Sequence, residues 1–266
     1  MSVSSKVWKN ELMQLPKVRD YTHVINRLKL ALKNISEVHT LGSIQNLNKN
    51  YPFKKIFIGQ GNSRRVLISA GIHGDEPSGI ETICAFIESC KYRSYLNKWD
   101  FIFLPCINPY GFEHDIRENH DKKDLNRLFK LASPPLEVRL AKSIIESSYF
   151  NLTLELHEDS DSHGYYLFQK SNKPFGIELG YKIIESVKKI IPINLNEKID
   201  GMPAEKGLIH RIKNIDDMEW WPMASYSLAM KSGHCFTLET PTRYPMKTRV
   251  NAHLTAIERA LIEYPD

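Results

Sequence analysis

The sequence predicts an α/β protein, built on a mixed, mostly parallel sheet with helices on both faces. Three observations carry that expectation. The run RRVLISAG (64–71) is followed by a helical pattern from about Pro77 to Tyr92 and then by FIFLPCINPYG (101–111), the strand–helix–strand order of a parallel crossover. Both strand-like runs are continuously apolar rather than alternating, as a sheet covered on both faces requires. At 266 residues the chain is long enough for one large core, so a single catalytic domain over 1–266 is expected, opening with a helical and edge-strand segment at about 1–60.

The elements follow in order. Residues 17–34, KVRDYTHVINRLKLALKN, place apolar side chains at helical spacing behind a proline. SEVHTLGSI and PFKKIFIG flank the turn-rich QNLNKNY and read as an antiparallel edge leading into the sheet. After the crossover, periodicity vanishes between Phe112 and Lys130, where FEHDIRENHDKKDLNRLFK is densely charged. A solvated loop is one account of that segment and a site loop the other. A helix over 135–148, the strand NLTLEL with YYLFQ as a possible partner, and a helix over 174–190 come next. Residues 191–222 are long and irregular, a feature more often functional than idle in a compact domain. The strand HCFTLE (234–239) and an amphipathic segment over 248–264 close the chain.

Bulk properties exclude several classes. The 36 basic and 31 acidic residues are interspersed, leaving a net charge of +5 and no continuous basic stripe, which argues against nucleic-acid binding and mildly favours an anionic substrate. The four cysteines form no CxxC pair, so neither a disulfide framework nor a thiolate metal site is expected. The first residues lack an apolar signal core and no later run reaches membrane-spanning length, so a cytoplasmic protein without a membrane partner is the expectation. Nothing in the sequence indicates an oligomeric state.

Chemistry-bearing residues cluster just past predicted strand ends, the side of an α/β sheet where ligands bind. His73 and Glu76 in GIHGDEPSG follow the central strand, His157 follows NLTLEL, and Glu239 ends HCFTLE. Two imidazoles and one carboxylate, with a fourth position open to water, suit a catalytic zinc site. A carboxylate outside that shell, such as Glu239, can take a proton from water and pass it to a leaving nitrogen. Taken singly, each has a plainer account: a buried histidine satisfied by backbone, a helix cap, a surface carboxylate.

In order, GIHGDEPSG, NPYGFEHDIRENHDKKDLNR, LELHED and FTLETP resemble the zinc carboxypeptidase family, including its related aspartoacylase and succinylglutamate desuccinylase branch, over about residues 60–245. The resemblance implies a central mixed, eight-stranded sheet and one Zn2+ per chain. By position it assigns His73, Glu76 and His157 as metal ligands and Arg117 as the group stabilising the oxyanion. Asn126 and Arg127 would bind the substrate carboxylate, and Glu239 would be general base and acid. Arginine suits both tasks, being permanently charged with a planar fork of donors. Asp124 is expected to support the loop. Two departures stand out: Lys123 replaces the glycine often found before DLNR, and Glu158 and Asp159 follow His157 where small hydroxyl residues are common, placing them to bond a ligand histidine or to repel an acidic substrate. No tyrosine aligns securely with the family's substrate-binding one; Tyr226, Trp220 and Trp221 are the aromatic candidates.

The expected activity is therefore zinc-dependent hydrolysis of an amide bond beside a free carboxylate in a small peptide. Deacylation of an N-acyl amino acid is the near alternative, and a catalytically silent peptide-binding module the alternative of another class. Only residues 240–266 follow Glu239, mainly as one helix, which favours the peptidase branch over relatives with an added C-terminal β domain.

Overall fold

The computed structural model describes residues 19–46, 49–172, 176–210 and 214–265. Helix α1 (Tyr21–Leu32) starts where the Asp20 carboxylate accepts from the amides of Thr22 and His23, and it buries Tyr21, Val24, Ile25, Leu28 and Leu32 along one stripe. Lys17 and Val18, where the sequence predicts the helix to begin, lie outside the described residues. Strands β1 (Val38–Asn46) and β2 (Lys49–Ile58) pair antiparallel, as expected of the edge. Strand β3 (Arg64–Ala70), helix α2 (Pro77–Glu88) and strand β4 (Trp99–Leu104) form the crossover, with β3 and β4 parallel. All six residues of β4 are buried, as are the last five of β3, which explains their unbroken apolar character.

The charged segment is not a solvated loop. Helix α3 (Pro109–His114) opens it, and the Asn108 side chain ties its two ends together: Oδ1 accepts from Gly111 N–H, while Nδ2 donates to the carbonyls of Arg117 and Glu118. Asn119 repeats the device, accepting from the amides of Asp121 and Lys123 while Lys122 holds φ +57°. Helix α4 (Leu136–Glu146), strands β5 (Leu152–Asp159) and β6 (Tyr166–Ser171), and helix α5 (Gly176–Val187) follow. The first two residues of the helix predicted over 174–190 lie outside the described residues. Residues 191–222 contain the small hairpin β7 (Lys198–Ile199) and β8 (Met202–Pro203) and the edge strand β9 (Leu208–Ile209). Helix α6 (Met223–Ala229), strand β10 (His234–Pro241) and helix α7 (Met246–Glu263) complete the order.

The main sheet has eight strands in the order β1-β2-β4-β3-β5-β10-β6-β9. Its centre, β4-β3-β5-β10, is entirely parallel, and the flanks add the antiparallel β2 and β6. One expectation is corrected here: YYLFQ does not partner NLTLEL, because β10 inserts between β5 and β6 and pairs with both. Side chains alternate across a strand. On the face of Leu156 the sheet carries α2, where a Cβ on Gly79 would stand 2.8 Å from Leu156 Cβ. Ser69 points the other way, toward Met223 of α6. Helices thus cover both faces, and no helix of the described residues is long and apolar enough to cross a membrane.

Candidate active site

The site is assembled where the parallel strands end. Gly71 turns the chain out of β3 at φ +62°, and Gly74 lies so close to the turn after β4 that a Cβ there would fall 1.9 Å from the carbonyl carbon of Gly111. This close approach fixes the loop carrying His73. Glu76 is the residue before α2, yet its carboxylate does not cap that helix. Oε1 lies 2.6 Å from Nδ1 of His73, Oε2 lies 2.8 Å from Nδ1 of His157, and Oε2 also accepts from the Glu158 amide at 3.1 Å. The capping task passes to Glu158, which accepts from Ser78 N–H and forms an ion pair with Arg249. Glu158 therefore bonds neither ligand histidine, and Asp159 accepts from Tyr166 Oη and from the amides of Asp161 and Ser162.

His73, Glu76 and His157 are all buried, and their donor atoms lie within 4.8 Å of one another. Two imidazole nitrogens and one carboxylate, enclosed and converging, fit a mononuclear zinc ion. Burial alone would raise the Glu76 carboxyl, but His157 and His73 outweigh it and bring it down to about 2, so it presents as a carboxylate. The second nitrogen of His73, Nε2, faces Asp124 Oδ1 at 3.2 Å, which holds the ring with Nδ1 toward Glu76.

Arg117 joins this network, donating from Nε to Asp124 Oδ2 at 3.1 Å and standing 3.4 Å from Glu76 Oε1 through Nη1. Asp124 is drawn well below the ordinary carboxylate range: burial opposes this, while the bond to His73 and the charges of His73, Arg117 and Arg127 outweigh it. Asp124 also accepts from the Asn126 amide, starting the 3-10 turn Leu125–Arg127. Asn126 is held by its Oδ1, which accepts from Met223 N–H at 2.9 Å, and the Arg127 guanidinium lies 4.0 Å over the Trp220 ring. Glu239 on β10 is the register partner of His157 on β5. Burial pushes its carboxyl up to about 8; His157 opposes the rise and Glu76 and Asp159 add to it.

A cleft of about 530 Å³ is lined by all seven residues singled out in the sequence: His73, Glu76, Arg117, Asn126, Arg127, His157 and Glu239. The irregular 191–222 region supplies part of its wall through Asp200, Met202, Met218 and Trp220. Of the aromatic candidates only Trp220 reaches it. Tyr226 is buried against Phe129 with its hydroxyl on Glu146, and Trp221 donates to Ile215 O. Among the cleft residues not singled out in the sequence are Tyr166 and Lys170 on β6. Their two-residue spacing through Phe168 places them on one strand face, so alternation in YYLFQK was the signal available.

A profile described as the succinylglutamate desuccinylase/aspartoacylase catalytic domain matches residues 62–201, more than half of the chain. The chain belongs to this family. Among solved structures, a provisionally named metallopeptidase from Shewanella amazonensis SB2B superposes with a TM-score of 0.80 at 20% identity, covering 93% of this chain and 94% of that one. Another from Shewanella baltica OS155 gives 0.79 at 21%, covering 93% and 94%. A metallo-carboxypeptidase from Burkholderia cenocepacia gives 0.68 at 16%, covering 91% of this chain and 68% of that one. These likenesses establish a carboxypeptidase-like fold. No curated protein sequence matches the chain. In a member of this family, a buried two-histidine, one-carboxylate cluster supports metal-dependent amide hydrolysis.

Proposed function

We propose that the protein hydrolyses an amide bond next to a free carboxylate in a small peptide, with one zinc ion held by His73, Glu76 and His157. The observation that carries this reading is that the metal cluster, the Glu239 carboxyl and two arginines line a single cleft. When bound, zinc supplies Lewis acidity toward the scissile carbonyl and lowers the pKa of the attacking water. Arg127, with Asn126 beside it, receives the substrate carboxylate through its guanidinium fork and so sets which amide enters. Arg117 keeps its charge, because Asp124 and Glu76 offset the cost of its burial, and it faces the carbonyl oxygen where negative charge develops. In its ionised form Glu239 takes the proton of the attacking water and returns it to the leaving nitrogen. No covalent enzyme intermediate is needed.

A second reading, deacylation of an N-acyl amino acid, is favoured by the family match. The two substrates present the same bond and the same neighbouring carboxylate, and differ in the acyl side. A zinc-loaded screen of dipeptides beside N-acetylaspartate and N-succinylglutamate separates them, with turnover confined to the acylated amino acids overturning the peptidase reading. In either series Glu239→Gln should lower kcat by roughly 10²–10⁴-fold with zinc retained. Undiminished turnover in that variant would remove Glu239 from the proton transfer.

A further inference from the structure

One buried imidazole lies against the metal cluster and takes no part in the proposed chemistry. His253 on α7 is fully buried, and its Nε2 stands 3.1 Å from the carbonyl oxygen of His157. A carbonyl oxygen only accepts, so Nε2 carries the hydrogen. Nδ1 is then the bare nitrogen, and it is buried without a hydrogen-bond partner among the described residues. Thr240 Oγ1 lies 3.4 Å from the same carbonyl and 3.4 Å from Nε2, and Ser78 Oγ lies 3.2 Å from Thr240 Oγ1. Helices α7 and α2 and strand β10 each contribute one fully buried polar side chain to this cluster.

The carbonyl of His157 and the amide of Glu158 are the two ends of one planar peptide unit, so aiming one aims the other. That amide donates to Glu76 Oε2 at 3.1 Å, and the same oxygen lies 2.8 Å from His157 Nδ1. A continuous path therefore runs from the His253 imidazole, through a single peptide, to a carboxylate oxygen of the metal cluster. Donation into the carbonyl also polarises the unit and strengthens its N–H as a donor. Arg249, four residues earlier and so on the same face of α7, pairs with the Glu158 side chain. The helix thus holds this peptide at two points.

An apolar side chain would fill the space without leaving a buried nitrogen unpaired, a cost that histidine incurs. What histidine adds, and leucine lacks, is the donor. Plain core packing therefore ranks leucine above glutamine at this position. A peptide-orienting role gives the reverse order, because the amide nitrogen of glutamine reaches the Nε2 position.

We infer that His253 is a positioning residue for the metal centre, holding Glu76 and His157 in their converging arrangement through the 157–158 peptide. This role rests on the proposed zinc site and is read without substrate. Its test measures zinc affinity of the wild-type chain, His253→Leu and His253→Gln by competition with a chromophoric chelator, together with the visible spectrum of each protein loaded with cobalt. His253→Leu should bind zinc roughly 10–100-fold more weakly, with shifted cobalt bands. His253→Gln should keep both close to wild type. Leucine equal to wild type in both readouts, or glutamine no better than leucine, would overturn the role. Should His253→Leu fail to give a cooperative thermal transition, His253→Asn takes its place. Its amide nitrogen falls short of the carbonyl, so its zinc affinity should drop below that of His253→Gln, and equal affinity would overturn the role. A wild-type chain that binds no zinc would instead overturn the metal centre itself and this role with it, an outcome distinct from equal affinities across the variants.

Discussion

An imidazole that coordinates through one nitrogen has a second that must be satisfied, and in His73 that task falls to Asp124. The same carboxylate accepts from Arg117 and starts the turn that carries Asn126 and Arg127, so it couples the metal cluster to the two groups proposed to stabilise the oxyanion and to bind the substrate carboxylate. Asp124→Asn should weaken zinc binding by roughly 10–100-fold, measured by competition with a chromophoric chelator; unchanged affinity would show that Asp124 does not orient the ring. The same titration has a predicted pH dependence. Burial would lower the His73 pKa, but Glu76 and Asp124 raise it above the ordinary histidine value, so the proton competes with the metal to a higher pH and affinity falls on acidification through that range. The residues that converge on the cleft were legible because each sits at fixed spacing in a short motif at or beyond a strand end. The coupling through Asp124 was not, because it depends on a contact 51 residues away.

At the scale of elements, α2 owes its place to a trade of roles between two glutamates. Glu76, at the capping position, turns its carboxylate to the histidines, and Glu158 supplies the missing acceptor for Ser78 N–H from β5. Arg249 of α7 neutralises Glu158, whose side chain is fully buried. Arg249→Met would strand that charge and should lower unfolding stability by about 3 kcal/mol in urea titration. A change below about 1 kcal/mol would mean that Glu158 is balanced otherwise. The elements legible in advance were those with enough residues to show a period: α1, β1, β2, β3, α2, β4, α4, β5, β6, α5, β10 and α7. Helices α3 and α6 span six and seven residues, and β9 spans two, too few for periodicity to register. The partner of β6 was misjudged because neighbours in sequence usually pair, whereas β10 enters between them only once the chain has returned.

For the whole molecule, the four central parallel strands fix the geometry of the chemistry. Their ends deliver His73 from the loop after β3, the arginine-bearing segment from beyond β4, His157 from β5 and Glu239 from β10 to one cleft. The parallel crossover was legible from apolar runs and their order. The eight-strand count came only through family resemblance, since short edge strands leave little trace in sequence. The central claim is that one metal ion held by His73, Glu76 and His157 is required for amide hydrolysis. It is tested most directly by stripping the purified protein with a chelator and measuring hydrolysis of the best screened substrate as zinc is returned. The account predicts negligible turnover in the stripped protein and full recovery at about one equivalent per chain, the occupancy of a single three-ligand site. Undiminished turnover in verified metal-free protein would contradict it.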